Sequence, residues 1–309
     1  MKFTTFLNLL LNAPQKIGPA IFDNLCNCSI VEHIPDSLYL RIAFRLNTGR
    51  FLHLKKPILF TEKIQWLKLN DRKLEYVDLV DKFKVKAIVS SIIGSEYIIP
   101  TIAVWETPSD IDWNVLPNQF VLKTTHGGGG CGVVICKDKS SFDRRESITQ
   151  LWKSYNSNIY MSYREWPYKN VEKKVIAEPF MVDKLSTDGD LIDYKFYCFN
   201  GVPKYCQVIR NRRKHETIDF FDMDWNLMPF IGLNPNVKNG SGNLPKPQQL
   251  NEMIEICKRL GKNKPFTRID LYVINNRVYF GEITFYPASG FGRFEPEEWN
   301  IKLGNMITL

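Results

Sequence analysis

Apolar positions recur at helical spacing early in the chain and at strand spacing late in it. Asp36 or Ser37 would cap a helix whose apolar positions Leu38, Leu40, Ile42, Ala43 and Leu46 run out at Gly49. A second helix is expected from about Thr61 to Asn70, around Ile64, Trp66, Leu67 and Leu69. From about Leu79 the texture changes. Asp81–Ile93 reads as a helix closed by Gly94, and strand-like segments follow at Tyr97–Trp105, Gln119–Lys123 and Val133–Lys137. A helix at Phe142–Asn156 and a strand at Lys174–Glu178 come next. Asp193–Asn200 and Lys204–Arg210 flank the turn Asn200-Gly201-Val202-Pro203, a hairpin signal. After a Pro- and Gly-rich loop at 233–247, a helix at Gln248–Leu260 stops at Gly261. Thr267–Ile274 and Arg277–Phe285 then form a second hairpin, turned at Asn275-Asn276.

The 309 residues, 44% of them apolar, suffice for one large or two to three small cooperating domains with a buried core. No apolar run approaches the roughly 18 residues of a membrane span. Met1–Asn12 is too short and too interrupted for a signal peptide and no small-residue cleavage site follows, so a cytoplasmic protein is expected. Those first residues suit an amphipathic surface helix, docked on the protein's own body or on the inner face of a membrane. The seven cysteines show no repeating spacing, and Cys26 and Cys28 lack a second pair for zinc, which points to reduced thiols. The net charge is +8, and residues 1–60, with seven Lys or Arg against three Asp or Glu, carry half of it. Such a surface suits an acidic polymer or anionic lipid; no nucleic-acid motif accompanies it.

The chemistry gathers in two places. In Phe120-Val-Leu-Lys-Thr-Thr-His-Gly-Gly-Gly-Gly-Cys-Gly132 an apolar strand delivers Lys123 to its end, and five glycines within six residues follow. Glycines let backbone N–H groups crowd a phosphate chain, and the lysine adds a point charge. The order of lysine and glycines fits neither a P-loop nor a dinucleotide fingerprint. In the terminal hairpin, Arg268 and Asp270 share one strand face, as do Glu282 and Thr284 on the partner strand. Two carboxylates and a hydroxyl are hard oxygen donors suited to Mg²⁺ on nucleotide phosphates, and Arg268 would neutralise charge on a transferred phosphoryl group. Lys82 beside Asp81 would reach phosphate too, or is a solvated helix charge. Glu178-Pro-Phe-Met181 reads as a hinge for a planar base. Asp193 and Lys195 share a strand face, and Arg210, Arg212 and Arg213 would suit an anionic substrate or a basic surface. Asp222-Met-Asp224 matches a glycosyltransferase D-x-D by letters only, and no Ser-His-Asp or Cys-His grouping stands out.

Taken in order, these features resemble an ATP-grasp enzyme. More narrowly, the chain is similar to the TupA-like ATP-grasp proteins of teichuronopeptide and surface-polysaccharide biosynthesis. The carrying segments are Glu62-Lys-Ile-Gln-Trp-Leu-Lys-Leu-Asn-Asp-Arg72, Asp81-Lys-Phe83, Leu116-Pro-Asn-Gln-Phe-Val-Leu-Lys123, Asp193-Tyr-Lys-Phe-Tyr-Cys-Phe-Asn-Gly201 and Gly281-Glu-Ile-Thr-Phe-Tyr-Pro-Ala-Ser-Gly290. The resemblance implies an α+β fold with two lobes holding ATP between them: a helical region at 1–78, a first lobe at 79–175 and a second at 176–309. By position, Lys82 and Lys123 resemble the lysines that hold ATP phosphates, and Gly127, Gly128, Gly129 and Gly130 the loop closing over them. Glu178, Pro179, Phe180 and Met181 resemble the adenine hinge, Asp193 a ribose-binding acid, with Lys195 on the same face. Asp270 and Glu282 match the Mg²⁺ ligands and Arg268 the residue steadying phosphoryl transfer. Thr284 stands where the wider family has Asn, and Ser289 and Gly290 where related ligases hold a substrate carboxylate.

The implied chemistry is ligation of a carboxylate to an amine through an acyl phosphate, with ATP and Mg²⁺ as cofactors. For a polysaccharide-linked relative the acid is expected to be a uronic-acid sugar or glycan precursor and the amine an amino acid; the reverse assignment stays open. Three other classes remain in view: a glycosyltransferase using a nucleotide sugar, a sugar kinase on the same ATP site, and a non-catalytic glycan-binding protein.

Overall fold

The computed structural model describes residues 17–18, 20–21, 29–128, 132–184, 191–211, 215–234, 236–240 and 244–309. Among the described residues from 36 onward, four helices come first: α1 Asp36–Thr48, α2 Phe60–Asn70, α3 Glu75–Val80 and α4 Lys84–Ile93. Strands β1 Ala103–Trp105, β2 Phe120–Thr124 and β3 Val133–Cys136 follow, then α5 Arg144–Tyr155, α6 Ile159–Tyr163 and β4 Val175–Pro179. The remainder is β5 Asp193–Phe199, β6 Val202–Arg210, β7 Thr217–Asp222, β8 Ile231–Leu233, α7 Leu250–Gly261, β9 Phe266–Ile274, β10 Arg277–Thr284, β11 Arg293–Glu295 and α8 Glu298–Asn305.

Two antiparallel sheets organise these elements. The first has the strand order β1-β4-β2-β3. Its inner face, Phe120, Leu122, Val134, Val175 and Ala177, packs with Leu151 of α5 into a small core. By alternation, the other face presents Val121, Lys123, Ile135 and Glu178. The second sheet runs β10-β9-β5-β6-β7. Phe196, Val208, Ile269 and Leu271 on one face bury against Met253, Ile256 and Leu260 of α7. Its hairpins turn on residues in the left-handed region: Asn200 and Gly201 (φ 49° and 82°) and Asn275 and Asn276 (φ 51° and 63°). Asn and Gly tolerate that region, which is why both turns were readable.

Several expectations need correcting. Helices α2 to α4 do not form a separate region: Phe60, Ile64, Leu67, Leu79, Val85 and Val89 share the core of the second sheet, while α1 packs in a smaller cluster with Tyr39, Leu40, Ala43 and Phe44. Residues 79–93 therefore pack with the second lobe, and β4 completes the first sheet, so the lobes change after Pro179 rather than at 176. The expected strand at Tyr97–Trp105 shrinks to Ala103–Trp105, opposite Val175–Ala177. Asp36 does not cap α1; its carboxylate receives Arg72 Nη2 at 2.6 Å and Tyr160 Oη at 3.0 Å. The helix expected from Asp81 starts at Lys84, and Asp81 accepts from the backbone N–H groups of Phe83 and Lys84 (2.8 and 3.1 Å). The four described cysteines, Cys136, Cys198, Cys206 and Cys257, are free and buried.

Helix α8 lies on α2 at Gly304, where an added Cβ would meet the backbone of Ile58, Leu59 and Phe60. Backbone cannot step aside as a side-chain tip can. Gly304→Ala is expected to destabilise the fold by about 1–3 kcal/mol, read as a lower urea midpoint. Gly49→Ala has open space around it but φ 74°, so it is expected to cost about 1 kcal/mol.

Candidate active site

The outward face of the first sheet and the polar face of the second meet across a cleft lined by charge. From the first side, the Glu178 carboxylate lies between Lys86 Nζ, at 2.5 Å, and Lys123 Nζ. Lys86 is also held by Ile99 O at 2.9 Å and Thr101 Oγ1 at 2.8 Å. Lys82 donates to the carbonyl of Gly127. Three lysines thus face one carboxylate, a surplus of positive charge at the edge of the glycine segment. Burial pushes Lys82 below its ordinary range, opposed by Glu282 across the cleft.

The second sheet supplies the acids. Register sets Lys195 of β5 opposite Asp270 of β9, and Asp270 opposite Glu282 of β10. Arg268 grips Asp270 with two bonds (Nε–Oδ1 2.7 Å, Nη2–Oδ2 2.8 Å) and reaches Glu282 Oε1 at 3.1 Å and Thr284 Oγ1 at 3.0 Å. Lys195 closes on Asp270 from the other side, and Asp193 lies 3.6 Å from its Nζ. Burial pushes the Asp270 carboxyl above its ordinary range, with Arg268 and Lys195 opposing. Glu282 ends differently. Burial pushes it up, but Lys82, Lys195 and Arg268 outweigh burial and hold it down at about 2. Its carboxylate sits inside the cleft, flanked by protein yet reached by solvent.

A turn that follows β10 adjoins these groups. Ala288, Ser289 and Gly290 all lie in the left-handed region (φ 46°, 53° and 67°). Two side chains of α2 hold this conformation: Gln65 Nε2 donates to the carbonyls of Ser289 and Gly290 at 2.9 and 3.0 Å. Lys68 Nζ donates to Ser289 O and Tyr163 O, both at 2.8 Å. A Cβ at Gly290 would strike Gln65 and Ile64, so only glycine fits. Ser289 Oγ donates to Glu165. Burial pushes Lys68 down to about 7 against the pull of Glu165, and burial pushes Glu165 up against Lys68.

The residues fit a magnesium ion that a nucleotide brings. Among the described residues no group of three or more His, Cys, Asp or Glu is placed to hold a metal unaided. Asp270 and Glu282 are a two-carboxylate set of the kind Mg²⁺ completes with phosphate and water oxygens. The Thr284 hydroxyl is engaged by Arg268 and by Glu282 (3.3 Å), making it a prop for that carboxylate.

A family model described as TupA-like ATPgrasp matches residues 62–308. The chain belongs to the TupA-like ATP-grasp family. No curated protein matches its sequence. Among solved structures it is similar to D-alanine–D-alanine ligase from Helicobacter pylori, at 16% identity and a TM-score of 0.41 over 80% of this chain and 69% of that one. The Bacillus anthracis ligase complexed with ATP shows 16% identity and 0.42 over 76% and 65%. D-cycloserine synthetase DcsG shows 14% and 0.41 over 74% and 69%.

In this TupA-like protein the cleft gathers Lys82, Lys123, Glu178, Asp193, Lys195, Arg268, Asp270, Glu282 and Thr284. Pro179, Phe180 and Met181 lead out of β4 at its rim, with Lys137 Nζ 5.7 Å from the Phe180 ring. Gly127 and Gly128 are beside Lys82 and Ile159; Gly129 and Gly130 lie outside the described residues, as do Arg212 and Arg213. Arg210 is not part of the cleft. It falls on the α7 face of the second sheet, paired with buried Asp219 at 2.7 Å. Asp222 spends its carboxylate on the N–H groups of Asp224 and Asn226, so the D-x-D letters form a turn. Sequence reading missed Lys86, Glu165 and the roles of Gln65 and Lys68. The last two carried a signal: Thr61, Glu62, Gln65 and Lys68 form a polar stripe at helical spacing, all buried.

Glu282 is expected to stay ionised well below the ordinary carboxylate range, to about pH 2. A lowered folded pKa stabilises the fold above the ordinary value and loses that stabilisation as pH falls through it towards 2. In Lys82→Met the Glu282 titration is expected to move upward, seen by NMR of carboxyl-labelled glutamate. An unmoved titration would mean Lys82 does not face it.

Proposed function

We propose that this ATP-grasp enzyme joins an amino acid to a uronic-acid sugar or acidic glycan precursor, through an acyl phosphate, in surface-polysaccharide biosynthesis. The observation that carries the reading is the division of charge across the cleft. Lys82, Lys86 and Lys123 offer cations where a phosphate chain would lie. Asp270 and Glu282 would hold Mg²⁺, whose part is to polarise the phosphates and offset their charge. Arg268, fixed bidentately, would stay aimed at charge developing on the phosphoryl group as it passes to the acid. Lys195, buried between Asp193 and Asp270, would keep the metal-binding carboxylate in place. The exposed Ile135 and half-buried Val121 make an apolar ledge beside Glu178, suited to a planar base. Phe180 and Met181 would cover its edge, Asp193 would meet the ribose, and Ser289 and Gly290 would border the acid substrate.

The family's name and its polysaccharide setting support the sugar acid, and the basic surface suits an acidic glycan. No helix among the described residues is long and apolar enough to cross a membrane. We place the enzyme in the cytoplasm, with its basic N-terminal part available to the inner membrane face and no nucleic acid as partner. The glycosyltransferase reading gains no support from Asp222-Met-Asp224, which is a closed turn.

The test is ADP release with ATP·Mg²⁺ against a panel of uronic acids, free and nucleotide-linked, crossed with amino acids. ADP is expected only when acid and amine are both present. Glu282→Ala is expected to weaken Mg²⁺-dependent ATP binding in calorimetry by about tenfold or more. Binding of a nucleotide sugar with indifference to ATP would overturn the ligase reading.

A further inference from the structure

A ligase of this kind needs a group for its second substrate, and every cleft cation so far is engaged with phosphate-side chemistry. We propose that Glu165 binds the attacking amine of the acceptor and takes its proton. The inference rests on the ligase reading above and adds the acceptor's contact to it.

Glu165 is the cleft carboxylate left over once the others are assigned. Glu178 is shared by two lysines, Asp270 by Arg268 and Lys195, and Glu282 reaches Arg268 and Thr284. Glu165 accepts one bond, from Ser289 Oγ to Oε1. Among the described residues its Oε2 has no hydrogen-bond partner, and no cation lies within ion-pair distance. The Lys68 ammonium is nearby but spent on Tyr163 O, Ser289 O and Ser289 Oγ. Arg268 and Glu282 act on the Glu165 carboxyl from the second sheet, Lys68 acts from α2, and Tyr168 on its own turn feels the same charges. The free oxygen therefore borders the phosphoryl-transfer arginine without being neutralised.

Its placement is rigid. The preceding residue, Arg164, is left-handed (φ 53°) and buried, with Nη1 on Met161 O at 3.0 Å and Nη2 on Val31 O at 2.5 Å. Its guanidinium stacks over Tyr39 at 4.2 Å and pairs with Asp36 at 3.1 Å. An anchored carboxylate with one oriented and one open oxygen is what an ammonium ion needs for capture. Burial also raises its proton affinity, which suits a base. In the step, the ammonium gives one proton to Glu165. The amine's lone pair forms the C–N bond, the bond from acyl carbon to phosphate oxygen breaks with its electron pair on that oxygen, and the nitrogen's surplus proton leaves with the phosphate.

The test separates the two half-reactions. Hydroxylamine, largely neutral at neutral pH, traps an acyl phosphate as a hydroxamate without a base, whereas an amino acid arrives as ammonium. With the uronic-acid panel, wild type is expected to form hydroxamate and amide. Glu165→Gln is expected to keep the hydroxamate and lose amide formation by at least about a hundredfold. Glu165→Ala is expected to recover amide formation on addition of acetate, a readout that a purely structural role would not move. Equal loss of both products in Glu165→Gln, or no loss of either, overturns the proposal. Absence of hydroxamate from wild type with every acid overturns the ligase reading itself, and the proposal with it.

Discussion

The two-bond grip of Arg268 on Asp270 is the interaction on which the site depends. Both residues project from one face of β9, two positions apart, so the strand presents guanidinium and carboxylate side by side before any ligand arrives. Asp270 is fully buried and would be costly as a lone anion. Arg268 makes its charge tolerable, and the same guanidinium then reaches Glu282 and Thr284 on β10. One side chain thus sets the spacing of both acids. Removing it would leave the buried carboxylate to Lys195 alone and break a buried pair, at a cost of up to about 3–5 kcal/mol. Loss of activity in an Arg268 variant would therefore mix catalysis with folding, which is why the tests above act on Glu282, Lys82 and Glu165.

The upstream helices are part of this site rather than an appendage to it. Gln65 and Lys68 enter from α2 and bind the carbonyls of a turn whose three consecutive left-handed residues would otherwise be strained. An ammonium at full burial needs acceptors on every proton, and the turn supplies two of the three. Phe60 of the same helix packs edge-on against Phe266 at the start of β9, with ring centroids 5.0 Å apart. Apolar packing thus fixes where α2 lies, and its polar stripe fixes the turn beside Arg268.

Much of this was legible in the chain. Hairpin turns at Asn200-Gly201 and Asn275-Asn276, the alternation that pairs Asp270 with Glu282, and the lysine ahead of the glycines all follow from local rules. What local rules could not show is which distant elements share a core. Leu79, Val85 and Val89 have the spacing of any amphipathic helix, and nothing in that spacing says that their helices pack against β10 and α7 rather than on the nearer β2. Arg210 failed for a related reason: it follows the strand positions that face the cleft, but one step of alternation turns it to the other face, towards Asp219. Lysine usually stays in solvent, so the burial of Lys68 could not be read from its neighbours in sequence. Only the turn at Ser289, more than two hundred residues later, explains its burial.

The charges across the cleft also state what a nucleotide must do on arrival. Lys82, beside the glycine segment, and Glu282 on β10 lie close enough to shift each other's protonation. Without a ligand, each partly neutralises the other. A phosphate chain entering with its metal would take over both partners at once, phosphate oxygens facing Lys82 and the metal facing Glu282. The exchange leaves charge balanced at both walls, so neither lobe is left with a bare buried ion. Phosphate alone would satisfy Lys82 and leave Glu282 against new negative charge. The metal alone would satisfy Glu282 and leave Lys82 unpaired. On the proposed reading, the facing pair would favour the complex over either component and make nucleotide affinity depend on magnesium.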